Sequence, residues 1–416
     1  MEHRTVDRER NLFVEDAIAL AERVARDCSI HIDAQAVLRS RASSAQTIKV
    51  IFWNDQGQMI SDAMGKGLGN QALASGIFEA FEHAALWHKL PGQANENCLE
   101  VLPVSSLESI DSLYGYARHV YADRPQPVVE FQTVLGPEFE LSDEVTIYPR
   151  TAIDNSLPLS EDLGKLLPLS HYASTTGYAA GTSLEDAVVH AVNELIERDA
   201  ESQFILQSGR RTIEPNYVEL GPDDHLFELY QELSESCGMS AQILLLDSVA
   251  GFVFAARAMT CSGQWIAGFG CSGDPEAALE RALTELQQSV YADSTGLDWA
   301  DEGGADLSNL NRFPRMRQAA EGNFALPDGP ATPFARILSK HRGSTEINLC
   351  NQLISRGFPV LARLLWCYRI DLRAVYVVQV VVPGLERLSS LVFGRPLVPA
   401  GRLKTRANVD FLLSQS

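Results

Sequence analysis

Residues 174–200, STTGYAAGTSLEDAVVHAVNELIERDA, decide how we interpret this chain of 416 residues. The stretch begins with small residues and continues into a region where apolar residues recur at helical spacing. Thr182 and Glu185 match a capping box, in which each side chain satisfies a free amide at the start of a helix. The pattern therefore predicts a loop over 174–181 and a long helix over 183–207.

The predicted helix carries a polar stripe that recurs in two other parts of the chain. In each case an alanine is followed by polar residues three, seven and ten positions later. These positions fall on one face, because the α-helix has 3.6 residues per turn. The three sets are Ala72 with Ser75, Glu79 and Glu82; Ala187 with His190, Glu194 and Glu197; and Ala278 with Arg281, Glu285 and Gln288. A single stripe is typical of a solvated face, but three in matching register indicate helices that face a common polar centre.

A glycine-containing segment precedes each of these predicted helices. The segments are Gly65–Gly69, Ser174–Gly181 and Gly268–Gly270. We interpret them as loops, because clustered glycine and small polar residues favour turns. Asp274 and Pro275 then match the N-cap and first position of the third helix. Backbone amides at such helix starts bind anions, so these loops are candidates for phosphate binding.

The remainder of the chain mixes strand and helix signals, which predicts an α/β (α+β) protein with mixed sheets and helices. Residues 11–40 are predicted to form an amphipathic helix followed by a weaker one, and Thr47–Trp53 a strand. No low-complexity linker separates the units. We therefore expect an N-terminal helical segment over residues 1–45 and a catalytic domain over residues 46–416.

The bulk composition excludes several classes of protein. With 34 basic and 54 acidic residues the net charge is −20, which disfavours a nucleic-acid or anionic-membrane partner. No run approaches the roughly 18 apolar residues of a membrane span. The seven cysteines are scattered without a C-x-x-C pair, which argues against structural zinc or a disulfide framework. Together with the charged N-terminus, these features predict a cytoplasmic protein.

Carboxylates three residues apart on facing helices bring several hard oxygen atoms into one small volume. Their charges repel, so such a site needs cations, and Mg²⁺ prefers oxygen ligands. Lys66, Arg198 and Arg281 would supply positive charge for the phosphates of a nucleotide. The alternative is that each stripe is an ordinary exposed helix face, with Arg198 as an intrahelical partner. No covalent nucleophile is expected, because positioning and cationic charge are sufficient for phosphoryl transfer, and the sequence shows neither a G-x-S-x-G motif nor a Ser/His or Cys/His arrangement.

Four segments of the chain resemble the YcaO family in order and spacing. They are Gly65-Lys66-Gly67 followed by ALASGIFEAFEH, the stretch 174–200, ALERALTELQQ at 278–288, and VVPGLE at 381–386 with the later GRPLVPAGRL. The resemblance extends over about residues 46–402. It implies that family's own α/β fold, built around an acidic cleft that binds ATP and Mg²⁺.

Carried over by position, the resemblance also implies roles for individual side chains. The implied metal ligands are Glu79, Glu82, Glu194 and Glu197. The side chains implied to contact or orient the nucleotide are Lys66, Ser75, Thr182, Asp186, Arg198, Arg281 and Gln288. Two positions depart from the family pattern. His83 replaces the usual arginine after the first E-x-x-E, and Thr182 replaces an asparagine-like residue.

The resemblance implies an ATP-dependent cyclodehydratase that phosphorylates backbone amide oxygens of a ribosomally made precursor peptide, forming thiazolines or oxazolines. The alternatives are thioamide formation from external sulfide, and a non-catalytic scaffold that binds peptide. The expected partners are the precursor peptide, a leader-peptide-binding ThiF-like protein and a flavin-dependent azoline dehydrogenase, in a homodimer or a heteromeric complex. Many azoline-forming relatives end in a P-x-P-x-P tail. This chain ends VDFLLSQS, which raises the expectation of thioamide formation, although cyclodehydration stays the main expectation because it is the commoner activity among relatives of this architecture.

Overall fold

The computed structural model describes residues 12–93, 100–103, 125–136, 139–154, 170–237, 240–260, 263, 265–295, 307–322, 325–341 and 348–414. The helices in these ranges are α1 Val14–Asp27, α2 Gln71–Leu86, α3 Leu184–Arg210, α4 Phe227–Ser236, α5 Pro275–Thr295, α6 Pro314–Ala320, α7 Phe334–His341, α8 Leu349–Ser355 and α9 Arg406–Leu413. The strands are β1 Ile30–Arg39, β2 Ala45–Asn54, β3 Met59–Leu68, β4 Glu100–Pro103, β5 Pro125–Leu135, β6 Glu140–Pro149, β7 Tyr178–Gly181, β8 Tyr217–Glu219, β9 Gln242–Leu246, β10 Phe252–Met259, β11 Trp265–Ser272, β12 Ala331–Pro333, β13 Leu361–Ile370 and β14 Arg373–Val381. The predicted α/β class is therefore confirmed.

These strands form three sheets. One is a three-stranded antiparallel sheet in the order β1-β2-β3. The second has the order β11-β10-β9-β8-β12, with β8 and β12 parallel. The third has the order β4-β5-β13-β14-β7, and β6 pairs with β5. Each glutamate-bearing helix follows a strand of a different sheet: α2 follows β3, α3 follows β7, and α5 follows β11. The three polar stripes therefore lie on helices that are connected to three separate sheets.

Two of the glycine-containing segments lie within strands, so their interpretation as loops was wrong. Gly65 lies in β3 and Gly268 in β11. A Cβ atom on Gly65 would lie 2.1 Å from the carbonyl oxygen of Ala72, and one on Gly268 would lie 2.2 Å from the amide nitrogen of Leu286. Glycine is needed here because the backbone of each strand directly contacts the backbone of the following helix. In the other segment, residues 178–181 form β7 and only 174–177 are irregular.

The weaker helix predicted within residues 11–40 was also wrong, because this part of the chain is strand β1. α1 is present as expected, and Ser29 then reverses the chain with a φ of 57°. Ile30 pairs with Asn54 at the start of an antiparallel ladder with β2. Ile30 and Ile32 pack in the same apolar core as α1, which is the alternation expected of a half-buried strand. In the described part of the chain, no helix has the length and apolar character needed to cross a membrane.

The start of α3 differs by one residue from the predicted capping box. Ser183 is the N-cap, and its side chain accepts a hydrogen bond from the amide of Asp186 at 3.0 Å. Thr182 instead donates its hydroxyl to the Asp186 carboxylate at 2.5 Å. Two adjacent hydroxyl residues satisfy the same sequence pattern, so only the backbone angles identify the cap.

Aromatic packing holds α2 between two of the sheets. Phe81 is fully buried and contacts Phe52 of β2 edge to face, with ring centroids 4.9 Å apart. It also stacks on Trp366 of β13 at 5.6 Å. Such pairs add to the stabilisation from apolar burial and prefer defined geometries. The orientation of α2, and so of the glutamates on its polar side, is set by this contact.

Candidate functional site

The three polar stripes line one cavity of about 850 Å³. Its wall includes eight of the nine polar stripe residues: Ser75, Glu79, Glu82, His190, Glu194, Glu197, Arg281 and Glu285. Lys66 of β3 and Arg198 of α3 also line it. The predicted common polar centre is therefore confirmed, and the alternative of three separate solvated faces is wrong, although Arg198 does pair within its helix, with Glu201.

Three glutamates of the cavity accept hydrogen bonds from backbone amides of the small-residue segments. Glu82 accepts from the amide of Ala180 at 2.7 Å, Glu194 from that of Gly177 at 3.0 Å, and Glu285 from that of Phe269 at 3.0 Å. A carboxylate has two oxygen atoms and about four lone-pair directions. The amide bonds therefore fix each carboxylate and still leave it able to accept further ligands.

Negative charge is crowded on the α3 side of the cavity. The pKa of Glu197 is raised to about 8, chiefly by burial and next by the Glu285 carboxylate, while Arg198 opposes the increase. Burial likewise raises the pKa of Glu194, against the attraction of Arg198. The Arg198 guanidinium donates to Glu201 at 2.8 Å, so its charge is shared. Proton uptake or a bound cation relieves such crowding.

The donor set fits Mg²⁺ together with a phosphate ligand. Within the described ranges, no three His, Cys, Asp or Glu side chains are arranged to hold a metal ion by themselves. Mg²⁺ does not require such a group, because it keeps several waters and usually takes one or two carboxylates plus phosphate oxygens. Glu79, Glu82, Glu194 and Glu197 all lie on the cavity wall, where they can supply those carboxylates. Their role as ligands stays a prediction.

Positive charges lie beside these carboxylates. The Lys66 ammonium is 3.5 Å from the Glu285 carboxylate and keeps about a third of its side chain exposed. The Arg281 guanidinium donates to the carbonyl of Cys271 at 2.6 Å, which holds it at the start of α5. Lys66, Arg198 and Arg281 all line the cavity together with the carboxylates. A site for a metal-bound polyphosphate requires both kinds of charge.

Three residues predicted to contact or orient the nucleotide lie away from the cavity wall. Thr182 and Asp186 bond to each other at the start of α3. Gln288 donates to the carbonyl of Met64 at 3.2 Å and so joins α5 to β3. These three side chains therefore help to orient the helices α3 and α5 and do not face the cavity.

Other cavity residues were missed by the sequence interpretation. Glu285 has the same spacing in its stripe as Glu79 and Glu194 and lines the cavity, but the family resemblance implies no role for it. Asn193 is buried within α3 and lines the cavity, and Glu15 reaches it from α1. Asn193 follows His190 by three residues and precedes Glu197 by four, so the helical spacing of the α3 stripe could have pointed to it, whereas nothing in the sequence links Glu15 to the stripes. His83, the departure from the family pattern, lines the cavity, and its Nδ1 lies 2.6 Å from the carbonyl oxygen of Asp62.

This chain is similar to curated proteins that are described as uncharacterized. An uncharacterized protein of Methanothermobacter thermautotrophicus is 29% identical over 231 residues, covering 52% of this chain and 57% of the relative. A protein of Rhizobium leguminosarum bv. trifolii, described as lying in the tfuA 3' region, is 28% identical over 230 residues, with coverages of 51% and 52%. This chain spans about half the length of the curated relatives it matches.

Solved structures share the fold at low sequence identity. YcaO from Methanopyrus kandleri, bound with AMPPCP and Mg²⁺, has a TM-score of 0.64 at 20% identity, covering 97% of this chain and 98% of that one. A heterocyclase in complex with substrate and cofactor has a TM-score of 0.60 at 18% identity, with coverages of 90% and 53%. The Escherichia coli microcin synthetase McbBCD complex with pro-MccB17 bound gives 0.56 at 15%, with coverages of 85% and 88%.

A family model described as YcaO cyclodehydratase, ATP- and Mg²⁺-binding, matches residues 64–386. That range begins in β3 and ends beyond β14, so it contains all three glutamate-bearing helices. It also covers more than half of the chain. The chain therefore belongs to the YcaO family, which its sequence resembles.

Proposed function

We propose that this protein is an ATP-dependent cyclodehydratase that activates backbone amides of a ribosomally made precursor peptide and converts Cys, Ser or Thr residues to thiazolines or oxazolines. The observation that carries the proposal is the convergence of carboxylates and cationic side chains from three helices on one cavity. Membership of a family described as cyclodehydratases supports it. The likeness to a heterocyclase supports the fold that this chemistry needs.

In this proposal the residues of the cavity have distinct roles. Glu79, Glu82, Glu194 and Glu197 hold Mg²⁺, which neutralises phosphate charge when it is bound. Lys66, Ser75, Arg198 and Arg281 contact the nucleotide. Thr182 and Asp186 orient the nucleotide indirectly, because their hydrogen bond holds the start of α3. Gln288 does so by joining α5 to β3. Glu285 holds Lys66 at 3.5 Å and keeps the ammonium directed into the cavity.

The proposed reaction needs no nucleophile from the enzyme. The substrate side chain adds to the carbonyl carbon of the preceding peptide bond, and the oxygen that results takes the γ-phosphoryl group of ATP, releasing ADP. Loss of phosphate and of the amide proton then forms the C=N bond of the azoline. The amide oxygen leaves within the phosphate, so atoms balance. Positioning and charge stabilisation suffice for phosphoryl transfer.

The partners that we propose are those that the family resemblance implies. We expect a precursor peptide delivered by a leader-binding ThiF-like protein, and an azoline dehydrogenase acting afterwards. We also expect a homodimer or heteromeric complex. One structure of the same fold is itself a complex, the E. coli microcin synthetase McbBCD. Copurification of the chain with a co-expressed ThiF-like protein tests the proposed complex. Efficient modification of a full-length precursor by this chain alone would contradict the need for that partner.

Mass spectrometry of the cognate peptide, after incubation with ATP, Mg²⁺ and partner, tests the chemistry. Loss of one water per modified site is the expected result. Exchange of oxygen for sulfur that depends on added sulfide would replace cyclodehydration with thioamide formation. Peptide binding without peptide-stimulated ATP hydrolysis would instead identify a scaffold. Glu194→Gln serves as the control that retains side-chain volume but removes a proposed metal ligand.

Nucleotide binding is tested separately from the chemistry. A ligand that binds only the folded state raises the melting temperature by mass action. Mg²⁺ with ATP should therefore raise the Tm, and EDTA should abolish the increase. An increase that persists in EDTA would show that the glutamates are not metal ligands.

A further inference from the structure

A buried polar network attaches the segment 384–402 to helix α3. Asp199 is fully buried and accepts hydrogen bonds from the Arg402 Nε at 2.8 Å and from the backbone amide of Glu386 at 2.8 Å. Arg402 Nη2 lies 2.7 Å from the same carboxylate. Asp199 therefore joins α3 to two parts of the C-terminal segment that are 16 residues apart in the chain.

Glu386 closes that segment on itself. Its carboxylate is almost completely buried and accepts from the amides of Ala400 at 3.1 Å and Gly401 at 3.0 Å. The amide of Arg402 donates to the carbonyl of Gly384 at 2.8 Å. Gly401 is required at this crossing, since a Cβ atom there would lie 2.4 Å from the carbonyl oxygen of Leu385. The loop is therefore rigid where it contacts α3.

A second anchor lies one turn further along α3. The buried Ser202 hydroxyl accepts from the amide of Ser389 at 2.8 Å and donates to the carbonyl of Arg198 at 2.6 Å. Arg198 lines the main cavity and also a small cavity of about 20 Å³, whose wall includes Glu386. The C-terminal segment therefore supports α3 directly behind the residues that face the main cavity.

Stability alone does not account for this network. A buried ion pair gives little net stabilisation, because the desolvation of both charges offsets their attraction. What it does provide is geometry, since the planar guanidinium and a fixed backbone amide admit few carboxylate orientations. Asp199 follows Glu197 and Arg198 in the same helix. Holding Asp199 in place therefore fixes the rotation of α3 about its axis, and with it the direction in which Glu197 and Arg198 point.

We propose that Arg402 and Glu386 are positioning residues, which act through Asp199 to hold the 194–198 turn of α3 in the orientation that directs its carboxylates into the cavity. The inference rests on the proposed nucleotide site. Residues that support metal ligands from behind commonly contribute about tenfold to a hundredfold to affinity.

The test compares Arg402→Gln with Arg387→Gln. Arg387 belongs to the same segment but donates to the Ala152 carbonyl at 2.9 Å and to the Tyr148 hydroxyl at 3.2 Å. Both variants should lower the Tm. Only Arg402→Gln should weaken binding of Mg²⁺ with AMPPCP, by about tenfold or more in calorimetry. Only Arg402→Gln should also speed amide hydrogen exchange of residues 194–202 in the ligand-free protein.

The exchange measurement keeps this inference separate from the proposed function. If the wild type binds no nucleotide, the proposed function fails, and faster exchange confined to residues 194–202 still supports the positioning role. Unchanged exchange there, or an equal loss of affinity in both variants, would overturn it. If Arg402→Gln does not fold, Arg402→Lys keeps the charge but loses the paired donors, and it should show the same changes at smaller size.

Discussion

Replacement of Glu197 by glutamine tests whether the cavity carries the crowded negative charge that a Mg²⁺ site requires. Burial, with a contribution from Glu285, raises the pKa of Glu197 from 4.5 to about 8. In the unfolded chain the carboxyl group loses its proton near pH 4.5, whereas in the folded protein it keeps the proton until about pH 8. Stability therefore falls as the pH rises through this window, and above pH 8 the loss is complete.

The size of the effect follows from the same values. One pKa unit corresponds to about 1.4 kcal/mol, so the interval from 4.5 to about 8 corresponds to about 5 kcal/mol. Since Glu197 is half-buried and faces an open cavity, solvent reduces this, and we expect about 2 kcal/mol. Glutamine cannot ionise. Glu197→Gln should therefore be about 2 kcal/mol more stable than the wild type at pH 9, without metal, and closer to it at pH 5.5.

Urea unfolding in EDTA at several pH values measures this difference. Glu185→Gln is the matched control, because Glu185 is an exposed glutamate of the same helix. The same Glu197→Gln variant should lose Mg²⁺-dependent ATP binding, since it lacks a charged ligand. If it matches the wild type at pH 9, the carboxylate is not crowded. If it also binds Mg²⁺ and ATP normally, Glu197 is not a ligand and the reasoning fails.

Three further predictions concern the strand–helix units and the cavity. Gly65→Ala should destabilise the protein by about 1–3 kcal/mol in urea unfolding, because its Cβ would overlap the α2 backbone; Gly221→Ala, whose Cβ would lie 3.7 Å from the nearest atom, should change stability by less than about 0.5 kcal/mol. Equal losses in the two variants would contradict the packing argument. Ser183→Ala should cost about 1 kcal/mol through loss of the α3 N-cap, and an unchanged unfolding free energy would return the cap to Thr182. Lys66→Met should weaken calorimetric ATP binding about tenfold to a hundredfold, the expected loss for a charge-assisted hydrogen bond, and wild-type affinity would remove Lys66 from the site.

Local periodicity was sufficient to identify the three helices and their polar stripes. Residues three and four apart share a helix face in any helix, so Glu194 and Glu197 could be paired before any tertiary structure was known. Strand β2 was equally visible, because the predicted strand Thr47–Trp53 lies within its bounds of Ala45–Asn54. These signals are short-range, and each depends on neighbours within a few residues.

The glycine segments illustrate where short-range signals fail. Gly65 and Gly268 occur in sequence patterns that also suit loops, and their strand conformation comes from ladder hydrogen bonds to β2 and β10. The strand identity of residues 30–39 likewise depends on pairing with β2. Propensity is a weak guide where tertiary pairing supplies the hydrogen bonds.

The sequence by itself determined the family, the α/β class and the three carboxylate-bearing helices, because these depend on spacing along the chain. Only the tertiary structure decided that Glu15 lines the same cavity as the stripes while Thr182 and Gln288 do not. It alone joined Asp199 to Arg402, which lies 203 residues away. The physical reason is that the packing of helices from three sheets determines which side chains meet, and burial determines which carboxylates change their pKa. Neither packing nor burial depends on distance along the sequence.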